Sequence, residues 1–134
     1  MNKATQPNLR YHLRIPADLV AYLASEKGPV VQAAIINISR AGMMISCGRD
    51  DLSTIIPKGI ANAPKRSVEV TVDFSLPILD EGLVVLSQPM IPAYTRRLAK
   101  DEYRVGLEFS RLGREQKRLL EQYIAENRNK AESA

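Results

Sequence analysis

Apolar and polar residues alternate along much of the chain, and this alternation predicts short β-strands. The clearest examples are residues 68–74 and 103–109, in which every second side chain is apolar, and residues 30–38, which are rich in valine and isoleucine. The predicted strands are 15–23, 30–38, 43–47, 68–74, 83–86 and 103–109. The pattern therefore predicts an all-β chain with about six strands.

Proline and glycine divide these strands. Pro16 favours an edge position for the first strand, since proline cannot donate a backbone hydrogen bond. Pro89 and Pro92 are expected to end or bend the fifth strand. Residues 49–66 contain two prolines and a glycine, and are expected to form a long connection with room for one short helical turn.

The period of the apolar residues changes near the end of the chain. Leucine, tyrosine and isoleucine recur there at helical spacing, which predicts an amphipathic helix over residues 113–128. Residues 1–9 are polar and are expected to form a flexible arm, and residues 129–134 are expected to fray. Six strands and one terminal helix are typical of an all-β barrel or sandwich with an appended helix.

Composition excludes several classes of protein. A single cysteine, Cys47, cannot form an internal disulfide, and with one histidine, His12, it cannot supply a structural zinc site. The apolar stretch 29–36 is too short to span a bilayer and the start has no apolar signal segment, so a cytoplasmic protein without membrane insertion is expected. The net charge of +4 favours small anionic partners but is too low to predict wrapped DNA, and the few aromatic residues offer no platform for nucleic-acid bases.

Two short motifs carry the functional signal. Arg10 and Arg14 are four positions apart where the polar arm meets the first strand. Arginine binds phosphate through two parallel hydrogen bonds, and the same group matches the O6 and N7 acceptors of guanine. In the second motif, Asn37, Ser39 and Gly42 form a polar turn between two apolar strands. Each motif alone is also typical of an ordinary solvated arm or an ordinary turn.

Together the motifs resemble those of the PilZ domain family, which are bacterial receptors for cyclic di-GMP. The family signature is RxxxR followed, one hairpin later, by (D/N)xSxxG, and both occur here in that order. The segments GLVVLSQ and YRVGLEF are similar to the closing strands of the family, and the resemblance extends from Leu9 to about Asn127. It implies a six-stranded antiparallel β-barrel over about 14–110 with a C-terminal α-helix, in a single PilZ domain over 10–128.

The resemblance also implies a role for each motif residue. Arg10 and Arg14 are expected to fold over cyclic di-GMP and contact its phosphates and guanine edges. Asn37 and Ser39 are expected to hydrogen-bond a guanine, and Gly42 to leave room for the ligand. The resemblance implies a receptor that signals to an unidentified downstream protein, with no catalytic residue, no metal and no cofactor other than the ligand.

Three positions depart from the usual family pattern. Asn37 replaces the commoner aspartate, and an amide oxygen accepts guanine N–H groups less well than a carboxylate does. Leu9 stands where many relatives carry a third arginine associated with a pair of bound ligands, which favours one ligand per chain. Leu86 lies roughly where relatives often have tryptophan or arginine beside the base.

Two alternative functions were compared with the receptor. A degenerate PilZ module that binds protein but no nucleotide is disfavoured because both motifs are present. An enzyme is disfavoured because the sequence contains none of the HExxH, GxSxG, Walker or GxGxxG motifs. Arg40, within the second motif, is equally compatible with a position over the ligand and with a solvated one.

Overall fold

The part of the chain that the structure describes forms six strands and three helices. The computed structural model describes residues 13–25, 28–57 and 69–133, with side chains as far as residue 130. The strands are β1 (Ile15–Ala24), β2 (Val30–Ile38), β3 (Gly42–Cys47), β4 (Val70–Ile78), β5 (Gly82–Ala99) and β6 (Glu102–Phe109). The helices are α1 (Arg49–Ile55), α2 (Arg114–Glu126) and α3 (Arg128–Ser133).

The six strands close into one barrel-like ring in the order β1-β2-β3-β6-β5-β4, and every neighbouring pair is antiparallel. The chain therefore forms two three-stranded meanders, β1–β3 and β4–β6. They join along β3 and β6, from Gly42 opposite Glu108 to Cys47 opposite Tyr103, and along a short stretch of β1 and β4. The predicted fold class, six antiparallel strands with a C-terminal helix, is confirmed.

Alternation of side chains fills the interior of the ring. In β4, for example, Val70, Val72, Phe74 and Leu76 are buried, whereas the residues between them are exposed or half-buried. This is the half-buried strand pattern that the sequence predicts for this segment. The same period in the other strands supplies one contiguous apolar core.

Strand β5 is much longer than predicted, and its prolines do not end it. It pairs with β4 up to Met90 and with β6 from Met90 onward. Pro89 and Pro92 thus lie where β5 passes from one partner to the other, so each is paired on only one side and its missing N–H costs little. On the sequence alone, these prolines are expected either to end the strand or to bend it. The register with β6 shifts between Pro92 and Tyr94, and irregularities of this kind bend a strand.

Pro16 also lies in a stretch of strand that pairs with only one neighbouring strand. Residues Ala21–Ala24 of β1 pair with β4, whereas the earlier part of the strand, including Pro16, pairs only with β2. The first strand therefore begins as an edge, as its proline predicts, and becomes a central strand only in its second half.

Helix α2 matches the predicted helix and buries Leu119, Leu120, Tyr123 and Ile124 as its apolar stripe. After a break at Asn127 the chain continues as α3, and fraying of residues 129–134 stays a prediction. The Asn127 carbonyl accepts the N–H of Lys130, and its side chain bonds the Tyr123 carbonyl at 2.8 Å, so the break itself is hydrogen-bonded. Within the described ranges, no helix combines the length and the hydropathy needed to cross a membrane.

Candidate functional site

A groove of about 490 Å³ opens on the outer surface of the ring, across β2, β3, β6 and the second half of β5. Arg14, Asn37, Ser39 and Gly42 all line it, and we therefore call it the motif groove. The two sequence motifs, which are separated by a whole hairpin along the chain, thus meet at one site. Arg10 lies outside the described residues.

Ser39 shapes the turn between β2 and β3. Its Oγ accepts the backbone N–H of Ala41 at 3.1 Å, and its own N–H donates to the Gly42 carbonyl at 2.8 Å. Local bonds of this kind are characteristic of serine in turns. Because the first bond uses Oγ only as an acceptor, the hydroxyl proton remains available to donate into the groove.

Asn37 lies at an irregularity in β2. The register between β2 and β3 shifts between Ile35 and Asn37, which changes the direction in which the following side chains point. Among the described residues, the Asn37 carboxamide makes one long contact, from Nδ2 to Met44 Sδ at 4.0 Å. Most of its hydrogen-bonding capacity is therefore unused.

A continuous row of residues crosses the floor of the motif groove. Asn37 pairs with Met44, Met44 with Gly106, and Gly106 with Tyr94, on four adjacent strands. A Cβ at Gly106 would overlap the Tyr94 ring, so the ring lies directly over the glycine backbone. Tyr94 is 39% exposed and gives the groove an aromatic surface beside its polar residues.

The charge of the groove is predominantly positive. Arg14, Arg40 and Lys117 contribute cations, and among the described residues Glu108 is the only acidic one that lines it. Arg40 forms a 3.1 Å ion pair with Glu121 of α2, and both side chains are exposed. The second motif is therefore linked to the C-terminal helix through Arg40, a contact that neither sequence expectation for this residue anticipated.

Comparisons with known proteins identify the family. The model of the family described as PilZ domain matches residues 8–126. The chain belongs to the PilZ domain family. A search of curated protein sequences finds no match.

Solved structures show the same PilZ fold at low sequence identity. The Bacillus subtilis inhibitor of motility, MotI or DgrA, has a TM-score of 0.62 at 17% identity, with 89% of this chain and 51% of that chain covered. This chain thus spans about half the length of that protein. The PilZ domain of YcgR from Escherichia coli, solved with c-di-GMP, has a TM-score of 0.57 at 12% identity, with 91% and 93% covered.

The structure gives the surroundings of Gly42 and Leu86, while the role of Gly42 towards a ligand stays a prediction. Gly42 is buried, and a Cβ there would overlap the Leu107 carbonyl oxygen and come within 2.9 Å of Glu108 Cα. The glycine is therefore required for the close approach of β3 to β6, whether or not a ligand is present. Leu86 is only 3% exposed and packs in the core, so it does not lie beside a base on the outer surface.

Three further residues line the motif groove and were not predicted from the sequence: Tyr94, Lys117 and Glu108. Their positions depend on the register of β5 and β6 and on the packing of α2, which no local pattern specifies. One signal was present: Gly106 interrupts the alternating segment YRVGLEF, and a glycine within a strand often marks a close approach by another group.

Cys47 lies in the core at the end of β3, as its apolar neighbours predict. Burial, followed by the Asp51 and Asp101 carboxylates, raises the pKa of its thiol to about 11. The thiol is therefore protonated at neutral pH and has little reactivity.

Proposed function

We propose that this chain is a cyclic di-GMP receptor that acts in the cytoplasm without catalysis and signals to a partner protein. The observation that carries the proposal is the meeting of Arg14, Asn37 and Ser39 at one groove, which also has an aromatic wall. Membership of the PilZ family and the fold shared with a PilZ domain solved with c-di-GMP support it.

Each part of the motif groove suits one part of this ligand. Arg14 is half-buried and offers a planar cation for a phosphate or for guanine O6 and N7. Asn37 has free amide capacity for a guanine edge, and the Tyr94 ring offers a surface for base stacking. Glu108 supplies a carboxylate acceptor for guanine N–H groups, which compensates for the amide at position 37.

The proposed signalling step involves the segment that precedes β1, which begins at Ile15. Binding is proposed to draw the segment that carries Arg10 and Arg14 over the dinucleotide, which changes the surface around the motif groove. Amide signals of Arg10 and Arg14 in NMR spectra are expected to shift on addition of cyclic di-GMP. Unchanged signals for both residues at saturating ligand would contradict this step.

Calorimetric titration with cyclic di-GMP tests the receptor proposal directly, with cyclic di-AMP and GMP as controls. Selective binding of cyclic di-GMP is expected. Arg14→Ala and Arg10→Ala should each weaken it by about 2–4 kcal/mol, the cost of losing a desolvated charged contact. Arg111→Ala, which removes an exposed cation outside the groove, is the matched control and should leave affinity unchanged. Absence of heat and of any thermal shift at high ligand concentration would overturn the proposal.

One observation favours a second function, a protein-interaction module that binds no nucleotide. Ser39 and Gly42 both have structural roles in the β2–β3 turn and at the β3–β6 contact, so their presence alone does not require a ligand. Arg14 and Asn37 have no comparable role among the described residues. Failure of the titration above would support this second function.

A further inference from the structure

A second groove, also of about 490 Å³, lies where β1 separates from β4. Pairing between these strands stops at Ala21 and Phe74, whereas β4 and β5 remain paired as far as Ile78 and Gly82. In the order of the ring, the junction of β1 and β4 is opposite the junction of β3 and β6, which the motif groove crosses. We call this second groove the apolar groove.

Large apolar side chains are unusually exposed around the apolar groove. Leu83 and Val85 of β5 are 71% and 72% exposed, and Val20 and Tyr22 of β1 are 43% and 48% exposed. Single exposed apolar residues are normal, but a cluster of four around one groove is typical of an interaction site.

The charge around this groove is acidic. Asp18 and Asp73 line it, and none of the described residues that line it is lysine or arginine, although the chain as a whole has a net charge of +4. Neither carboxylate forms an ion pair within the described part of the chain. Asp73 accepts a hydrogen bond from the Ser87 hydroxyl at 2.5 Å. Two carboxylates beside apolar side chains therefore complement a partner that is both basic and apolar.

The width of the groove indicates the shape of that partner. Its apolar walls are β1 and β5, with β4 between them. Where Tyr22, Asp73 and Ser87 are paired across the three strands, the walls are two strand spacings, or roughly 10 Å, apart, and the groove is wider beyond the end of the β1–β4 pairing. An α-helix with its side chains is about 10–12 Å wide. An added β-strand would need a free strand edge, but β1 packs against α3 and β4 packs against α2. The dimensions favour a helix lying along the groove.

We propose that the apolar groove binds a basic amphipathic helix of a partner protein. The apolar face of the helix contacts Val20, Tyr22, Leu83 and Val85, and lysine or arginine at its margins meets Asp18 and Asp73. This interaction does not rest on nucleotide binding, because no residue that the structure describes lines both grooves.

The test uses a synthetic amphipathic helix of leucine and lysine, about 18 residues long, and a second peptide of the same pattern with glutamate in place of lysine. Fluorescence anisotropy with the full chain is expected to show that the lysine peptide binds at least tenfold more tightly. The double variant Leu83→Ser/Val85→Ser should weaken that binding by about tenfold or more. Leu98→Ser, an equally conservative change at an exposed leucine outside the groove, should change it less than twofold.

Two further measurements locate the interaction. Amide signals of residues 18–22, 73–75 and 83–85 should shift on addition of the lysine peptide, and those of Met44 and Gly106 should not. The double variant Asp18→Asn/Asp73→Asn should lower affinity severalfold and reduce its dependence on salt, since fewer charge pairs are screened.

Several outcomes would overturn the proposal. Equal binding of the two peptides, or equal binding by all variants, would show that the groove has no preference for a basic helix. A dimer of the free chain that dissociates in the Leu83→Ser/Val85→Ser variant would assign the groove to a second copy of the chain. Cyclic di-GMP affinity of the same variant is measured separately, so failure of nucleotide binding remains distinguishable from failure at the apolar groove.

Discussion

Gly42 and Gly106 both line the motif groove, and alanine substitution is expected to affect stability at the first and ligand binding at the second. At Gly42 the added Cβ meets the backbone of β6, which cannot move without opening the ring. Gly42→Ala is expected to destabilise the fold by about 1–3 kcal/mol, the usual cost of overpacking. Thermal unfolding measures the loss, and an unchanged Tm together with lost nucleotide affinity would instead support the ligand-clearance role implied by the PilZ resemblance.

At Gly106 the added Cβ meets the ring of a partly exposed tyrosine, which is free to rotate away. Gly106→Ala should therefore change Tm much less than Gly42→Ala, but should weaken cyclic di-GMP binding severalfold by removing Tyr94 from its position. Tyr94→Ala should weaken binding to a similar extent. If both variants bind as tightly as the unmodified chain, the tyrosine ring takes no part in the site.

The reactivity of the Cys47 thiol tests whether this side chain is buried. A pKa of about 11 for the thiol, against 9.0 for an unperturbed one, lowers the thiolate fraction at pH 8 by about 100-fold. Reaction with a thiol reagent should be slower by at least that factor in the native protein than in denaturant. Because the folded-state pKa is raised, the stabilisation from the protonated thiol is complete below pH 9 and is lost as the pH rises toward 11. Native reactivity close to that of the denatured chain would contradict the burial of this residue.

The sequence predicted the polar residues of the site better than the apolar ones. Arg14, Asn37 and Ser39 occur in motifs whose order and spacing are visible in the chain, and the structure brings them together. Tyr94 is placed beside Gly106 only by the β5–β6 register and the shift after Pro92. That shift is set by tertiary pairing, and a single sequence contains no signal for it.

Among the secondary-structure elements, α2 is connected to the second motif by the Arg40–Glu121 ion pair. If Arg40 is to bind a ligand phosphate, it must leave Glu121. Glu121→Gln removes this competition and should raise affinity for cyclic di-GMP by up to about fivefold at low salt, the equivalent of an exposed ion pair. Glu102→Gln, which removes the partner of Arg104 outside the groove, should leave affinity unchanged. A decrease in affinity for Glu121→Gln would show that the ion pair holds Arg40 in position for the ligand.

The boundaries of the elements show where sequence patterns suffice. β2 and β6 were predicted to within one residue because β2 is rich in valine and isoleucine and every second residue of β6 from Tyr103 is apolar. β5 was predicted as four residues and has 18, since its prolines were interpreted without knowledge of its change of partner at Met90. The fold class itself was predictable, since six alternating segments and one amphipathic helix leave few arrangements that bury every apolar face.

At the scale of the whole molecule, the number of ligands bound per chain is a testable quantity. Leu9 stands where a third arginine accompanies paired ligands in many PilZ relatives, so one cyclic di-GMP per chain is expected. Calorimetry gives the ratio directly. Leu9→Arg should move it toward two. A ratio near two for the unmodified chain would leave the receptor function intact and reject the inference from Leu9.

The division of the ring into two meanders also predicts that two fragments of the chain, one for each meander, can reassemble into the ring. A fragment ending at residue 57 would carry β1–β3, and a second beginning at residue 58 would carry β4–β6 and the C-terminal helices. The motif groove takes Arg14 and Asn37 from the first fragment and Tyr94 and Lys117 from the second. Because the complete groove exists only in the assembled pair, ligand at 100 times its Kd should strengthen reassembly by about 2.7 kcal/mol. The two fragments, each fused to half of a reporter enzyme, would then form a sensor that converts the concentration of the nucleotide into a signal.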